Sequence, residues 1–351
     1  MATQNKHNTL PKFLEKHKRK ANEPFTHTII GNPDLNIYGG SFNIPDDKTE
    51  EFLDFYYKFV FKSGNNAYLT EKHRENGPIV IDLDFRFEGD SGRNYTEEFI
   101  VKFLDIYNKA LYSIIEPPKS RCNAYVMEKE QPVFQKGKNI TKDGLHIMYP
   151  NIVIEPKLQF AVRYATIMNP ETKKLFDSIG ITNSVDDVFD KCVIDRNNWQ
   201  MYGSMKPGSE PYKLTMRLDS DLNKITKKIS HRDCLRTLTV RNFNTTNIYN
   251  PTEEEKSKIE DLIKSMPEKH KEKKNMKLKR VKSPINKTRA SEEDYKMAKQ
   301  LVVILSDSRA NDYNDWIMLG FCLFNIDYRL LSDWDEFSKR SRKYQEGVCK
   351  S

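Results

Sequence analysis

Between Pro78 and Phe87 apolar and polar side chains alternate. Ile79, Ile81, Leu83, Phe85 and Phe87 share one parity, and Asp82, Asp84 and Arg86 the other. A period of two in a run rich in β-branched and aromatic residues predicts a half-buried strand. On either side the period lengthens to that of a helix. Asp46-Asp47 cap a predicted helix with the stripe Phe52, Phe55, Tyr56, Phe59 and Val60. A second opens near Thr96, with Glu97 and Glu98 in its first turn, carries Phe99, Phe103, Ile106, Tyr107 and Leu111, and stops at Pro117-Pro118. Short strands are predicted at 124–127 and 145–149, the latter ended by Pro150, and at 212–218 and 235–240. Helices are predicted at 160–168 and 174–179, and Pro207-Gly208-Ser209 reads as a turn. Strands and helices mixed without strict alternation indicate an α+β fold rather than a doubly wound sheet.

The pattern divides the chain into four parts. Residues 1–22 read as a mobile, lysine-rich arm, and 23–250 as the main domain. Residues 251–290 begin with a helix from Thr252 through Ile259, Leu262 and Ile263. They continue into a stretch, 269–289, dense in lysine and nearly free of large apolar side chains. Such a stretch cannot bury enough surface to fold alone and reads as a linker able to touch phosphates. Residues 291–351 form a helical module, capped by Ser291-Glu292-Glu293. Its core is expected from Ala298, Leu301, Val302, Leu305, Trp316, Leu319, Phe321, Leu323, Leu331, Trp334 and Phe337. The chain stops at Ser351 without a closing structural signal, as a piece of a longer polypeptide is expected to.

Composition narrows the function classes. No apolar run reaches membrane-spanning length, and the polar, basic first twenty residues are not a secretory signal. Five cysteines, Cys122, Cys192, Cys234, Cys322 and Cys349, stand singly, against both a disulfide framework and a zinc cluster. A reducing, intracellular setting is expected. The basic excess is modest, 58 Lys and Arg against 50 Asp and Glu, which permits a polyanionic partner without demanding one. No Gly-x-x-x-x-Gly-Lys-Ser/Thr phosphate loop occurs, so this stretch encodes no ATPase motor.

The candidate chemistry starts from the aspartates. Two residues apart on a strand, Asp82 and Asp84 project from one face. Their mutual repulsion is relieved by a divalent cation with a preference for oxygen, such as magnesium or manganese. The alternative is the solvated face of an edge strand. Lys142-Asp143-Gly144-Leu145-His146-Ile147 places a histidine on a strand after a glycine that leaves room for a ligand. His146 and Lys142 suit a phosphate. Val193-Ile194-Asp195 offers a third carboxylate, or a simple turn residue. In Trp199-Gln200-Met201-Tyr202-Gly203-Ser204-Met205-Lys206, Ser204 and Lys206 share a face if the segment is extended.

In this order the pieces resemble the archaeo-eukaryotic primase superfamily, which carries Asp-x-Asp/Glu on a strand, small-x-His on a strand, then a later Asp followed by Ser and Lys. Phe25-Thr26-His27-Thr28, Pro78 to Phe85 and Lys142 to Ile147 look closest to the N-terminal primase part of primase-helicases of large nucleocytoplasmic DNA viruses. The helices around Trp316 and Trp334 resemble the primase C-terminal module there. The resemblance implies a two-lobed primase-polymerase core with an RRM-like sheet and a metal site. It implies primer synthesis by nucleotidyl transfer, with Asp82, Asp84 and Asp195 catalytic and holding two Mg2+ or Mn2+ ions. Lys142, Gly144, His146, Ser204 and Lys206 then bind the nucleoside triphosphate. Single-stranded DNA is the implied template, a helicase domain of the same polypeptide the implied partner, and the host cytoplasm the implied location. Two departures stand out: Gln200 sits where relatives often carry arginine, leaving Arg196 as substitute, and no cysteine set marks the family's optional zinc module. The competing readings are a non-catalytic DNA-binding or helicase-loading module and a metal-dependent nuclease using the same carboxylates.

Overall fold

A computed structural model describes residues 9–271, 290–342 and 344. The chain forms two compact units, residues 1–272 and 273–351. In chain order the first unit contains α1 (Leu10–Lys16), β1 (His27–Ile29), β2 (Gly40–Phe42), α2 (Thr49–Tyr57), β3 (Leu69–Glu71), β4 (Gly77–Glu88), α3 (Glu97–Ile114), β5 (Ala124–Glu128) and β6 (Val133–Gln135). It continues with β7 (Ile140–Ile154), α4 (Pro156–Met168), α5 (Pro170–Asp177), α6 (Val185–Val188), α7 (Cys192–Asp195), β8 (Trp199–Gln200), β9 (Lys213–Leu218), α8 (His231–Thr237) and α9 (Glu253–Ser265). The strands make two antiparallel sheets. One has the order β2-β1-β3-β8; the other has β4-β7-β5-β9, with β6 also on β7.

The alternation of β4 decides how the unit packs. Ile79, Ile81, Leu83, Phe85 and Phe87 are at most 1% exposed and belong to one core with Phe99, Phe103, Tyr107 and Leu111 of α3. Thr96 opens α3 by accepting a hydrogen bond from the Phe99 amide, while Glu97 and Glu98 complement the helix dipole. Phe85 meets Phe99 edge-on at 5.6 Å, and Phe176 stacks on Phe103 at 5.8 Å, favourable arrangements for ring quadrupoles. With one face so committed, the register of β4 cannot slip by a residue without exposing this set. The aspartates are therefore fixed on the opposite face.

Several expectations are corrected. Leu10–Lys16 is not part of a mobile arm: Leu10, Phe13 and Leu14 form a helical stripe buried in the second core, with the Phe13 ring 5.5 Å from Phe55. The predicted strand at 235–240 is instead the last three residues of α8 followed by non-regular chain, because the Ser230 hydroxyl caps a helix by accepting from the Asp233 amide. Pro150 does not end β7. The register jumps there from Ile79↔Tyr149 to Pro78↔Val153, so its missing N–H falls in an irregularity of the ladder. Of the linker, residues 272–289 lie outside the described residues.

The second unit contains α10 (Glu292–Val303), α11 (Asp307–Asn311), α12 (Tyr313–Ile326) and α13 (Leu331–Ser338) around Ala298, Val302, Ala310, Leu323, Leu330, Trp334 and Phe337. The Trp316 and Trp334 rings stack at 4.7 Å, and Trp334 Nε1 donates to the Trp316 carbonyl. A Cβ on Gly320 would fall 2.6 Å from the Trp334 ring, so this helix crossing requires glycine. Leu301 and Phe321, expected in this core, are more than half exposed instead.

Candidate active site

Across β4 and β7, Asp82 pairs with His146, Asp84 with Gly144, and Arg86 with Lys142. Residues directly opposite in a ladder share a face. Asp82, Asp84, His146 and Lys142 thus all project from the side away from the apolar core. Gly144 has a backbone reason to be glycine: a Cβ there would lie 2.3 Å from the Leu83 carbonyl oxygen and 3.5 Å from an Asp84 carboxylate oxygen. Lys142 is exposed, two residues or about 7 Å along the strand from Gly144.

His146 is held between rings. Tyr212 stacks on it with centroids 3.6 Å apart, and Trp199 of β8 lies at 4.5 Å. Trp199 therefore brings the β2-β1-β3-β8 sheet to this point. Burial, then the Lys206 and Lys129 ammonium groups, holds the imidazole well below its ordinary value. The ring is neutral, with one N–H donor and one acceptor. Its Nε2 is 3.6 Å from Asp82 Oδ1.

That Asp82 oxygen is the most informative atom of the site: it is buried and has no hydrogen-bond partner. Burial foremost, then the Asp84 and Asp190 carboxylates, pushes the Asp82 carboxyl well above the usual range, while Lys206 and Lys129 pull it back. A buried anionic oxygen without a donor is costly unless a cation completes it. Among the described residues no three His, Cys, Asp or Glu side chains cluster tightly enough to cage a metal. Asp82 and Asp84 accordingly form no closed cage with a third carboxylate, whether Asp195 or Asp190. The donors present still suit magnesium or manganese, which bind through one or two carboxylates plus substrate phosphates and water.

Of the other expected residues, Ser204 departs from the sequence reading. Asp195 ends α7, 3.5 Å from the Arg196 guanidinium. The carboxylate tied directly to β4 is Asp190. Its backbone N–H donates to the Asp82 carbonyl at 2.9 Å, next to a bridge between Phe189 and Leu83, and its own Oδ1 accepts from the Cys192 amide. Ser204 does not face a ligand. Its hydroxyl is fully buried, accepts from the Leu69 amide and shares a hydrogen bond with the Tyr56 hydroxyl. Gln200 braces the same turn by donating to the Ser204 carbonyl. Both residues thus position the segment that carries Lys206, an exposed residue whose charge is felt by Asp82 and His146. Lys129, which no motif marks, joins it. Its Nζ donates to Ser209 Oγ at 3.1 Å and lies over the Tyr212 ring, and burial followed by Lys206 lowers its pKa.

The Phe25-Thr26-His27-Thr28 run is structural. Thr26 Oγ1 accepts from the Ile44 amide and pairs with His27 Nδ1, and burial drives the His27 pKa down to about 3. Cys122, Cys192, Cys234 and Cys322 are free thiols. Among the described residues no helix is long and apolar enough to cross a membrane.

Residues 26–218 match the family described as the C962R protein N-terminal AEP domain, and residues 298–351 match Primase C terminal 2. A protein of Acanthamoeba polyphaga mimivirus, named as a candidate helicase, is 35% identical over 96% of this chain and 37% of its own length. Similarly named proteins of Invertebrate iridescent virus 6 and Frog virus 3 are 25% and 22% identical, over 94% and 96% of this chain. The chain spans little more than a third of the length of these relatives. Domain match, order of modules and viral relatives agree: the chain belongs to the archaeo-eukaryotic primase superfamily, in the branch found in viral primase-helicases.

Proposed function

We propose that the first unit is a DNA-templated primase-polymerase that makes primers by nucleotidyl transfer, and that it is the N-terminal part of a viral primase-helicase. The observation that carries this reading is the unpartnered Asp82 oxygen, set beside Asp84 and facing His146, Lys129 and Lys206. We read the two sheets, brought together at Trp199 and His146, as the two lobes of the site. Asp82 and Asp84 hold the catalytic Mg2+ or Mn2+, with a pair of ions as the working expectation. Bound there, a divalent cation neutralises phosphate charge and acidifies the attacking 3′-hydroxyl. The protein's own side chains supply the rest. Lys206 and Lys129 carry the triphosphate charge, with Lys142 reaching its outer end. Neutral His146 donates its N–H to a phosphate oxygen without adding charge beside Asp82, and its two ring neighbours fix its direction. Gly144 lets the strands close up beneath it.

The third carboxylate, expected of Asp195, we assign to Asp190, because its backbone is bonded to that of Asp82 and its charge weighs on Asp82. Asp190→Asn is expected to lower nucleotide incorporation on the order of 10²-fold, as loss of one preorganised electrostatic partner does. Asp195→Asn is expected to stay within about threefold of wild type, a change of well under 1 kcal/mol. Parallel rate measurements on the two variants check this, and the reverse order returns the role to Asp195.

A helicase partner in the same polypeptide is supported by the helicase-named viral relatives and by the fraction of their length this chain covers; a role in viral DNA replication in the host cytoplasm is the setting we infer from the primase family and the viral sources. The test of the activity is incubation of the chain with labelled single-stranded DNA, nucleoside triphosphates and either cation. Growth of product supports synthesis. Shortening means a nuclease, and no change in either direction means a non-catalytic module.

A further inference from the structure

We propose that a cationic groove along β9 is the track on which single-stranded DNA runs to the Asp82/Asp84 site. This rests on the nucleotidyl-transfer reading and adds the surface that delivers the strand. The groove has a volume of about 350 Å³ and lies between β9 and the segment 224–229. Its lining contains Arg217, Lys224, Lys227 and Lys228 against a single carboxylate, Glu97, which is already paired with Lys224 at 2.7 Å. Among the described residues Arg217, Lys227 and Lys228 make no ion pair with a carboxylate, and both of these lysines are exposed. Three unneutralised cations along one groove are the electrostatic footprint of a phosphate backbone.

The sheet register connects this groove to the site. Arg217 pairs with Tyr125, which pairs with Met148; Leu214 pairs with Met127, which pairs with His146. Paired residues share a face, so Arg217 and Leu214 lie on the side of the sheet that carries Asp82 and Asp84, while Met216 and Glu97 lie towards α3; the groove thus opens at the sheet edge, with its Leu214 and Arg217 side facing the site. Two strand spacings, roughly 10 Å, separate the Leu214 end of the groove from His146. The Arg217 guanidinium is propped over the Tyr125 ring at 5.8 Å, which limits its freedom before a strand arrives. The lining offers aliphatic surface but no aromatic ring for stacking, so binding there is insensitive to sequence and strongly sensitive to salt.

The test compares the chain with its Arg217→Gln/Lys227→Gln/Lys228→Gln variant, using a labelled oligothymidylate and fluorescence anisotropy at several salt concentrations. The lysine-rich stretch 269–289 contributes equally to both, so the difference reports the groove. Loss of three phosphate contacts is expected to weaken binding at least tenfold and to reduce the salt slope by about 2. Cation-dependent triphosphate binding stays at the wild-type level. Conversely, Asp82→Asn leaves oligothymidylate binding intact, so a failure of the groove and a failure of the nucleotidyl-transfer reading give different results. An unchanged affinity and slope in the triple variant overturns the proposal. In the unmodified chain, oligothymidylate is expected to protect Lys227 and Lys228 from acetylation; absence of protection, or protection by polyglutamate alone, overturns it as well.

Discussion

Asp82→Asn is expected to reduce nucleotidyl transfer by 10²–10³-fold or more while making the cation-free protein harder to unfold. The order of magnitude is that of removing one preorganised group from a site that works by charge placement. The opposite signs follow from one cause. In the folded chain Asp82 is raised well above the usual carboxylate range, first by burial and then by Asp84 and Asp190. A carboxyl that binds its proton more tightly folded than unfolded costs stability once it ionises. The cation-free chain therefore loses stability as pH rises above the ordinary carboxylate range and through the raised folded value. Asparagine has the same shape and nothing to ionise. At neutral pH its melting temperature should exceed that of wild type, and its stability should lose the part of the pH dependence owed to this group. Added Mn2+ should raise the melting temperature of wild type and not that of the variant. Calorimetry across pH, with and without cation, separates these effects from activity.

The second large effect concerns a residue distant from any motif. Arg163 is 1% exposed in α4. Its Nε and Nη2 both donate to the Phe189 carbonyl, at 2.8 and 2.5 Å, and Nη2 also donates to the Asp186 carbonyl and carboxylate. The guanidinium lies 5.3 Å from the Phe189 ring centre. One side chain thus fixes the segment from Asp186 to Phe189, and the next residue, Asp190, is bonded to Asp82. Arg163→Ala leaves the buried Phe189 carbonyl without its donor and takes one cation from Asp186, which keeps Lys269 and His270 beside it. It should cost about 2–4 kcal/mol, from the unsatisfied buried acceptor and the lost packing of a large buried side chain. Urea unfolding gives this number directly. Arg163→Lys keeps the charge but not the planar fork, so it should recover only part of the loss. Reduced activity in the lysine variant, measured where it is still folded, would report displacement of Asp190.

How much of this was legible in the chain depended on whether a residue type declared its environment. The Pro78–Phe87 alternation did: five large apolar side chains at a period of two allow one buried face, so the position of Asp82 and Asp84 followed. The Thr96-Glu97-Glu98 start of α3 did as well, because caps have local chemistry. The stretch 235–240 did not, since an apolar run this short fits either period; the Ser230–Asp233 cap before it was the signal to weigh. The preference for Asp190 over Asp195, which is our proposal, had no sequence signal. Val188-Phe189-Asp190 and Val193-Ile194-Asp195 are the same pattern five residues apart, and the grounds for it, the backbone bond to Asp82 and the charge felt by Asp82, are visible only in three dimensions. Ser204 looked available because spacing says nothing of burial. Lys129, between Glu128 and Glu130, carried no motif to mark it; its place just past β5 sets it beside Tyr212 and Ser209.

The central claim is that Asp82 and Asp84 bind a divalent cation together with a nucleoside triphosphate held by Lys129, Lys206 and His146. Titration calorimetry of a triphosphate into the chain, with Mn2+ and then with chelator, measures it without requiring turnover. The expected result is saturable binding that needs the cation, disappears in Asp82→Asn and weakens roughly tenfold or more in Lys129→Ala, the loss typical of one charged hydrogen bond. Binding of equal strength in chelator, or in Asp82→Asn, would contradict it.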